Sequence, residues 1–276
     1  MSSTATRQHA SVRAEINYAG EIEGRAVFDA VDPSRTNLAF VPHTVEIHDA
    51  RPFQDELSLD REGFQLVSHT SSVVHSTDLA ELDRVYHQEM AELIKQVSGA
   101  REVVVQRSGL VLRTSERAQE RVGTTPARFA HLDYTRTSAE QFRDSVLTAE
   151  GAEPAPYSRY VIYQAWRATS TPPHDSVLAL VDATTVGEQD TRLFYGVFGP
   201  EGAPMSLLEA QLGLASEDHR WLYFSDMTPD EVILFKGFDS DSSRATGVMH
   251  TAFDDPMSRT GSPRASIESR FFAFFD

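Results

Sequence analysis

The chain has 276 residues and a formal charge of −16, with 40% hydrophobic and 24% charged residues. That length suits one large domain or two small ones and readily buries a core, and the composition is ordinary for a globular protein. The acidic balance argues against nucleic acid and anionic membrane surfaces, both of which call for a basic stripe. A small-molecule substrate in a locally positive pocket stays compatible with it. No cysteine is present, which excludes disulfides, thiolate metal ligands, iron–sulfur clusters and cysteine nucleophiles. No apolar run reaches the roughly 20 residues of a membrane span, and no secretory apolar segment follows Met1, so a cytoplasmic location is expected.

Residues 1–14 read as a polar, disordered leader, and 15–276 as a single domain with an N-terminal α/β part to about residue 105 and a β core after it. Short alternating segments occupy 26–49, most clearly 43–48. A long helix follows. Ser76 or Thr77 can cap it, Leu79, Leu82, Val85, Tyr86, Met90, Leu93, Ile94 and Val97 recur at helical spacing, and Gly99 stops it. His87 is assigned to its polar side. Beyond 102 the candidate strands are 102–106, 110–113, 127–134, 160–166, 176–182, 191–197, 220–224, 231–238, 247–251 and 266–275. A second helix is expected over 138–148 and a short one near 205–211. Many short strands with Gly, Pro and Asp punctuation predict a mainly β protein with flanking helices, a sandwich or double-sheet jelly roll.

The chemistry concentrates late in the chain. His131 and Asp133 are two apart, so on a strand both point to one side while Leu132 faces the other. His250 ends another strand-like segment and is the candidate third ligand. Two imidazoles and a carboxylate are the set that holds non-haem Fe(II) on one face and leaves three positions open. Arg264 and Ser266 again share a face, and an arginine fork with a nearby hydroxyl suits the far carboxylate of an oxo-acid co-substrate. Arg259 and Arg270 are the rivals for that task. The plainer readings are an exposed polar strand for the His-Asp pair and an edge salt bridge for Arg264. Asp254 and Asp255 before Pro256 read as turn chemistry.

Several stretches in order resemble one family: Asp49-Ala-Arg51, 59–64, His131-Leu-Asp133, Ala165-Trp-Arg167, 175–180, 219–231, Phe235-Lys236, 250–256 and Pro263-Arg-Ala-Ser266. The chain is similar over roughly 40–275 to the Fe(II)/2-oxoglutarate oxygenases of the gibberellin desaturase, cephamycin-methoxylation hydroxylase and fungal aziridine-forming type. The resemblance implies a distorted double-stranded β-helix, a cupin-like jelly roll. In it His131, Asp133 and His250 hold Fe(II), while Arg264 and Ser266 anchor 2-oxoglutarate. Trp166, Arg167, His219 and Trp221 line the pocket or belong to the core. The implied reaction uses O2 and 2-oxoglutarate to take a hydrogen from a small secondary-metabolite or amino-acid-derived substrate, ending in hydroxylation, desaturation or ring closure. Ala168, where the family often has proline, and Gly237-Phe238, where Cys-Tyr is common, depart from the pattern without touching a ligand. A metal-dependent hydrolase and a non-catalytic jelly-roll binding protein are the alternatives. The oligomeric state is left open.

Overall fold

The computed structural model describes residues 11–29, 32–115, 125–198, 206–258 and 261–276. In chain order the first part supplies β1 (Ser11–Ala19), β2 (Ala26–Asp29), β3 (Phe40–Asp49), β4 (Phe64–Ser68), a helix of two α segments, α1 (Leu79–Glu81) and α2 (His87–Ser98), joined by a π-turn over Leu82–Tyr86, and β5 (Glu102–Thr114). The rest is β6 (His131–Leu132), α3 (Arg136–Glu150), β7 (Arg159–Ala168), β8 (Ser176–Val181), β9 (Thr191–Phe198), β10 (Ser206–Gly213), β11 (Trp221–Tyr223), β12 (Glu231–Asp239), β13 (His250–Asp254) and β14 (Ala265–Phe275). The strands form a nine-stranded sheet, β1-β3-β11-β8-β13-β6-β10-β9-β2, and a five-stranded one, β4-β12-β7-β14-β5.

Alternation along the strands sorts the side chains into layers. On β7 and β12, Trp166, Ala168, Ile233 and Phe235 pack against Leu178, Leu180 and Leu222 of the larger sheet, filling the space between the sheets. Their sequence neighbours Val161, Tyr163, Ala165, Val232 and Leu234 turn outward and meet Leu82, Tyr86, Met90 and Ile94 of the long helix. A sheet buried on both faces explains why these strands read as nearly continuous apolar runs. On the larger sheet, Leu132, Ala179, Val181, Trp221 and Tyr223 face outward and are covered by Val12, Ala14, Ile16 and Tyr18 of β1. The result is a curled double sheet, a jelly roll with its helices outside.

Several expectations are corrected. Residues 11–14, assigned to the leader, begin β1, which pairs with β3 along its whole length; residues 1–10 lie outside the described residues. β5 runs through residue 105, and β3 and β4 of the N-terminal part pair with β11 and β12. Asp78, not Ser76 or Thr77, caps the long helix, accepting from Ala80 N. His87 is buried, its ring edge-on to Phe271; it precedes Met90 and Ile94 by three and seven residues, so it shares their face. The segment expected to be helical near 205–211 is strand β10 from Ser206. Its helix-forming residues are overridden by ladders to β9 on one side and β6 on the other.

Candidate metal centre

β6 is only two residues long, yet it sits between β13 and β10. Its His131 is directly opposite His250 in the ladder, and their ring centroids are 4.3 Å apart. Leu132 points the other way into the outer core. Asp133 follows in a bend rather than on the strand, and its Oδ1 lies 3.4 Å from His131 Nε2. The chain then leaves through Tyr134 into α3, whose start is held by Thr135 and Ser138 in a capping box. One donor atom from each of His131, Asp133 and His250 lies within 4.8 Å of the others.

The backbone sets the imidazoles. His131 Nδ1 is 2.8 Å from the Phe129 carbonyl and His250 Nδ1 is 3.0 Å from the Val248 carbonyl. A carbonyl can only accept, so each Nδ1 donates and each neutral ring keeps its lone pair on Nε2. Burial, then the neighbouring His131, pushes His250 down to about 4, so this ring is neutral at ordinary pH. Burial works to raise the Asp133 carboxyl, but the Arg270 guanidinium holds it well below the usual carboxylate range. Neutral nitrogen and ionised oxygen donors, without thiolate, fit a divalent iron.

These three residues open on a cavity of about 370 Å³, also lined by Arg113, Trp166 and Arg264. Arg264 precedes β14, with its backbone N–H donated to Asp175 Oδ1 at 2.9 Å. Its guanidinium is 5.5 Å from the Trp166 ring centroid. The residue is only 2% exposed, and its Nε and Nη1 find no partner among the described residues. Ser266 Oγ and Ser115 Oγ are likewise unpartnered there. Burial first, then Arg113 and Arg128, pushes Arg264 down to about 9. A buried cation with open N–H groups beside other arginines calls for an anion, and a carboxylate of 2-oxoglutarate fits.

The structure therefore brings His131, Asp133, His250, Arg264 and Trp166 around one cavity, with Ser266 on the same face as Arg264. It does not bring the other pocket candidates there. Arg167 alternates away from Trp166 and lies under the long helix, its Nη1 2.9 Å from the Pro229 carbonyl and its Nη2 2.9 Å from His69 Nδ1. Trp221 shares the outward parity of β11, where its Nε1 donates to Tyr18 Oη at 2.6 Å. His219 is 3.0 Å from that same hydroxyl. Of the rival arginines, Arg259 lies outside the described residues. Arg270 serves a different partner, with Nη2 3.0 Å from Asp133 Oδ2 and 2.6 Å from Glu268 Oε1. Sequence reading passed over Glu268 and Arg113. The signal was the two-residue period running Arg264, Ser266, Glu268, Arg270, all on one face. Asp255 accepts from Met257 N and Ser258 Oγ, as turn chemistry requires.

A jelly roll with two imidazoles and a carboxylate at one cavity, and a buried arginine with open N–H groups beside them, defines a non-haem Fe(II)/2-oxoglutarate-dependent oxygenase. Residues 16–274 match the family model described as an oxidoreductase/YMDC permease-like domain, and the chain belongs to that family. It is 32% identical to the hydroxylase/desaturase CTB9 of Cercospora beticola, over 84% of this chain and 76% of the relative. It is 28% identical to the Fe(II)/2-oxoglutarate-dependent dioxygenase nvfI of Aspergillus novofumigatus, over 87% of this chain and 86% of that one. A solved structure of the iron and alpha-ketoglutarate-dependent endoperoxidase NvfI superposes with a TM-score of 0.82 at 26% identity, covering 98% of this chain and 99% of that one. The chain is an oxidoreductase of this dioxygenase class, and Fe(II), 2-oxoglutarate and O2 are its metal and co-substrates.

Proposed function

We propose that His131, Asp133 and His250 hold the iron, that Arg264 and Ser266 anchor the far carboxylate of 2-oxoglutarate, and that the enzyme takes a hydrogen from a small secondary-metabolite or amino-acid-derived molecule. The observation that carries this reading is Arg264, buried at the cavity with Nε and Nη1 open. Iron bound at the triad supplies, with 2-oxoglutarate and O2, the oxidising power for attack on a C–H bond. The chain's own residues do the positioning. Both Nδ1 donors lock the rings so that Nε2 faces the ion. Trp166 lies against the Arg264 guanidinium and walls the cavity. The apolar layer around Leu178 and Leu180 limits water at the reacting centre.

Hydroxylation, desaturation and ring closure differ in where the substrate radical is held, not in the ligand set. Similar proteins are named hydroxylase/desaturase and endoperoxidase, which supports assigning the outcome to substrate placement. The chain from β1 onward acts as one catalytic unit, since early and late strands are interleaved in each sheet. The enzyme works in the cytoplasm without a nucleic-acid or membrane partner. The charge of −16 supports this, and among the described residues no helix is long and apolar enough to cross a membrane.

The test is an anaerobic titration of apo-protein with Fe(II) and then 2-oxoglutarate, following the visible charge-transfer band of the chelate. Wild type develops the band, and Arg264→Ala weakens 2-oxoglutarate by about 30-fold or more, as expected for removing one partner of a buried charge pair. Fe(II) binding without a band, or an Arg264→Ala titration equal to wild type, overturns the assignment.

A further inference from the structure

We infer that Arg270 is a positioning residue for the metal: it captures Oδ2 of Asp133, leaving Oδ1 alone to bind the ion. This rests on the reading of Asp133 as a ligand. The two oxygens of that carboxylate face different partners. Oδ1 lies 3.4 Å from His131 Nε2, inside the triad, while Oδ2 is 3.0 Å from Arg270 Nη2. The consequence is numerical. Six positions minus three protein donors leave three, two for a chelating oxo-acid and one for O2. A carboxylate binding through both oxygens would take one of them.

The fold builds a socket for this guanidinium. β14 pairs without interruption with β7, where Arg270 stands opposite Gln164. Against β5 the register jumps: Glu268 faces Val111 but Arg270 faces Gln106. The extra residues of β5 bulge away and turn the Gly109 carbonyl toward Arg270 Nη1, at 3.5 Å. Tyr134, next to the ligand in sequence, packs at the same place through its side chain. It fits because residue 237 is glycine: a Cβ there would lie 2.8 Å from the Tyr134 ring. Bulges of this kind re-aim side chains beside active sites.

Glu268 completes the device. It lines the cavity and is buried, a second carboxylate beside the same guanidinium. Arg270 holds its Oε1 at 2.6 Å, and Arg113 stands 3.7 Å from its Oε2. One guanidinium nitrogen, Nη2, thus meets two carboxylates, Asp133 assigned to the metal and Glu268 beside it.

Co(II) is the probe, titrated into the full-length apo-protein under wild-type, Arg270→Lys and Arg270→Gln/Glu268→Gln conditions. Affinity is read by calorimetry and coordination number by the intensity of the visible ligand-field bands. Lysine keeps a cation beside the two carboxylates but has no second nitrogen to reach the Gly109 carbonyl, so it loses the planar anchoring that fixes Nη2 against Asp133. The double variant removes one positive and one negative charge together, so the net charge at the cavity is unchanged. Both variants should bind Co(II) about 10–100-fold more weakly and change band intensity, an effect that loss of packing alone does not produce. Either variant matching wild type in affinity and spectrum, with an unchanged circular-dichroism spectrum, overturns the role. Wild type that takes up no Co(II) sinks the metal-site reading itself, and this one with it.

Discussion

Arg264 is an expensive side chain to bury without an acid, and that cost is the clearest residue-level sign of what the cavity receives. Ser266, two residues on, has a buried hydroxyl with no partner among the described residues. One neutral hydrogen bond contributes about 1 kcal/mol, so Ser266→Ala should raise the KM for 2-oxoglutarate about 5-fold. Fe(II) affinity should stay unchanged, because the hydroxyl is assigned to the co-substrate and not to the ion. Steady-state succinate release and a metal titration read the two quantities separately. A fall in iron affinity of the same size would place Ser266 elsewhere. At this scale the residues that meet at the cavity, His131, Asp133, His250 and Arg264, could be picked out from residue type and spacing; their roles are those proposed above. Arg167, His219 and Trp221 were not legible, since which face of a strand looks inward depends on what covers it.

Elements transmit these constraints. β6 is too short to be stable alone, and its position is set by one rung to β13 and two to β10. Beneath it, β12 carries Lys236, fully buried with Nζ 2.6 Å from Asp239 Oδ2 and 2.9 Å from Asp60 Oδ1. Breaking a buried pair costs about 3–5 kcal/mol. Lys236→Met should fall near the low end, about 3 kcal/mol, because Arg159 still pairs with Asp239 at 2.6 Å. Urea unfolding measures it, and a loss under 1 kcal/mol would show that the pair contributes little beyond its desolvation. Element type was readable where one periodicity dominated, as in the long helix, or where a short apolar run was bounded by turn residues, as in β12. It failed at β10, where Leu207, Leu208, Glu209, Ala210 and Gln211 are good helix formers but two neighbouring strands offer ladders.

Over the whole molecule, the buried and half-buried histidines couple the fold to pH. His69, His87, His174 and His219 are all lowered from the ordinary imidazole value, with burial the largest cause in each. Their folded pKa lies below the unfolded one, so below pH 6.5 the unfolded chain binds more protons. Stability is therefore full above that value and is lost as pH falls through the folded values. The midpoint of urea unfolding of the apo-protein should drop progressively between pH 7 and pH 5. A flat profile there would mean that these rings gain protons without unfolding.

Composition and local pattern already decided much about this protein: a mainly β fold, a ligand set without sulfur, and an arginine–serine pair on one strand. Those properties depend on residue type and on spacing within a few positions, which the chain carries wherever it goes. Tertiary structure alone decided that His131 stands opposite His250, that Trp221 faces β1 rather than the cavity, and that Arg270 reaches Asp133 across a bulge. Each of these joins residues 119, 203 and 137 positions apart. Such contacts follow from sheet order and register, which no local periodicity encodes.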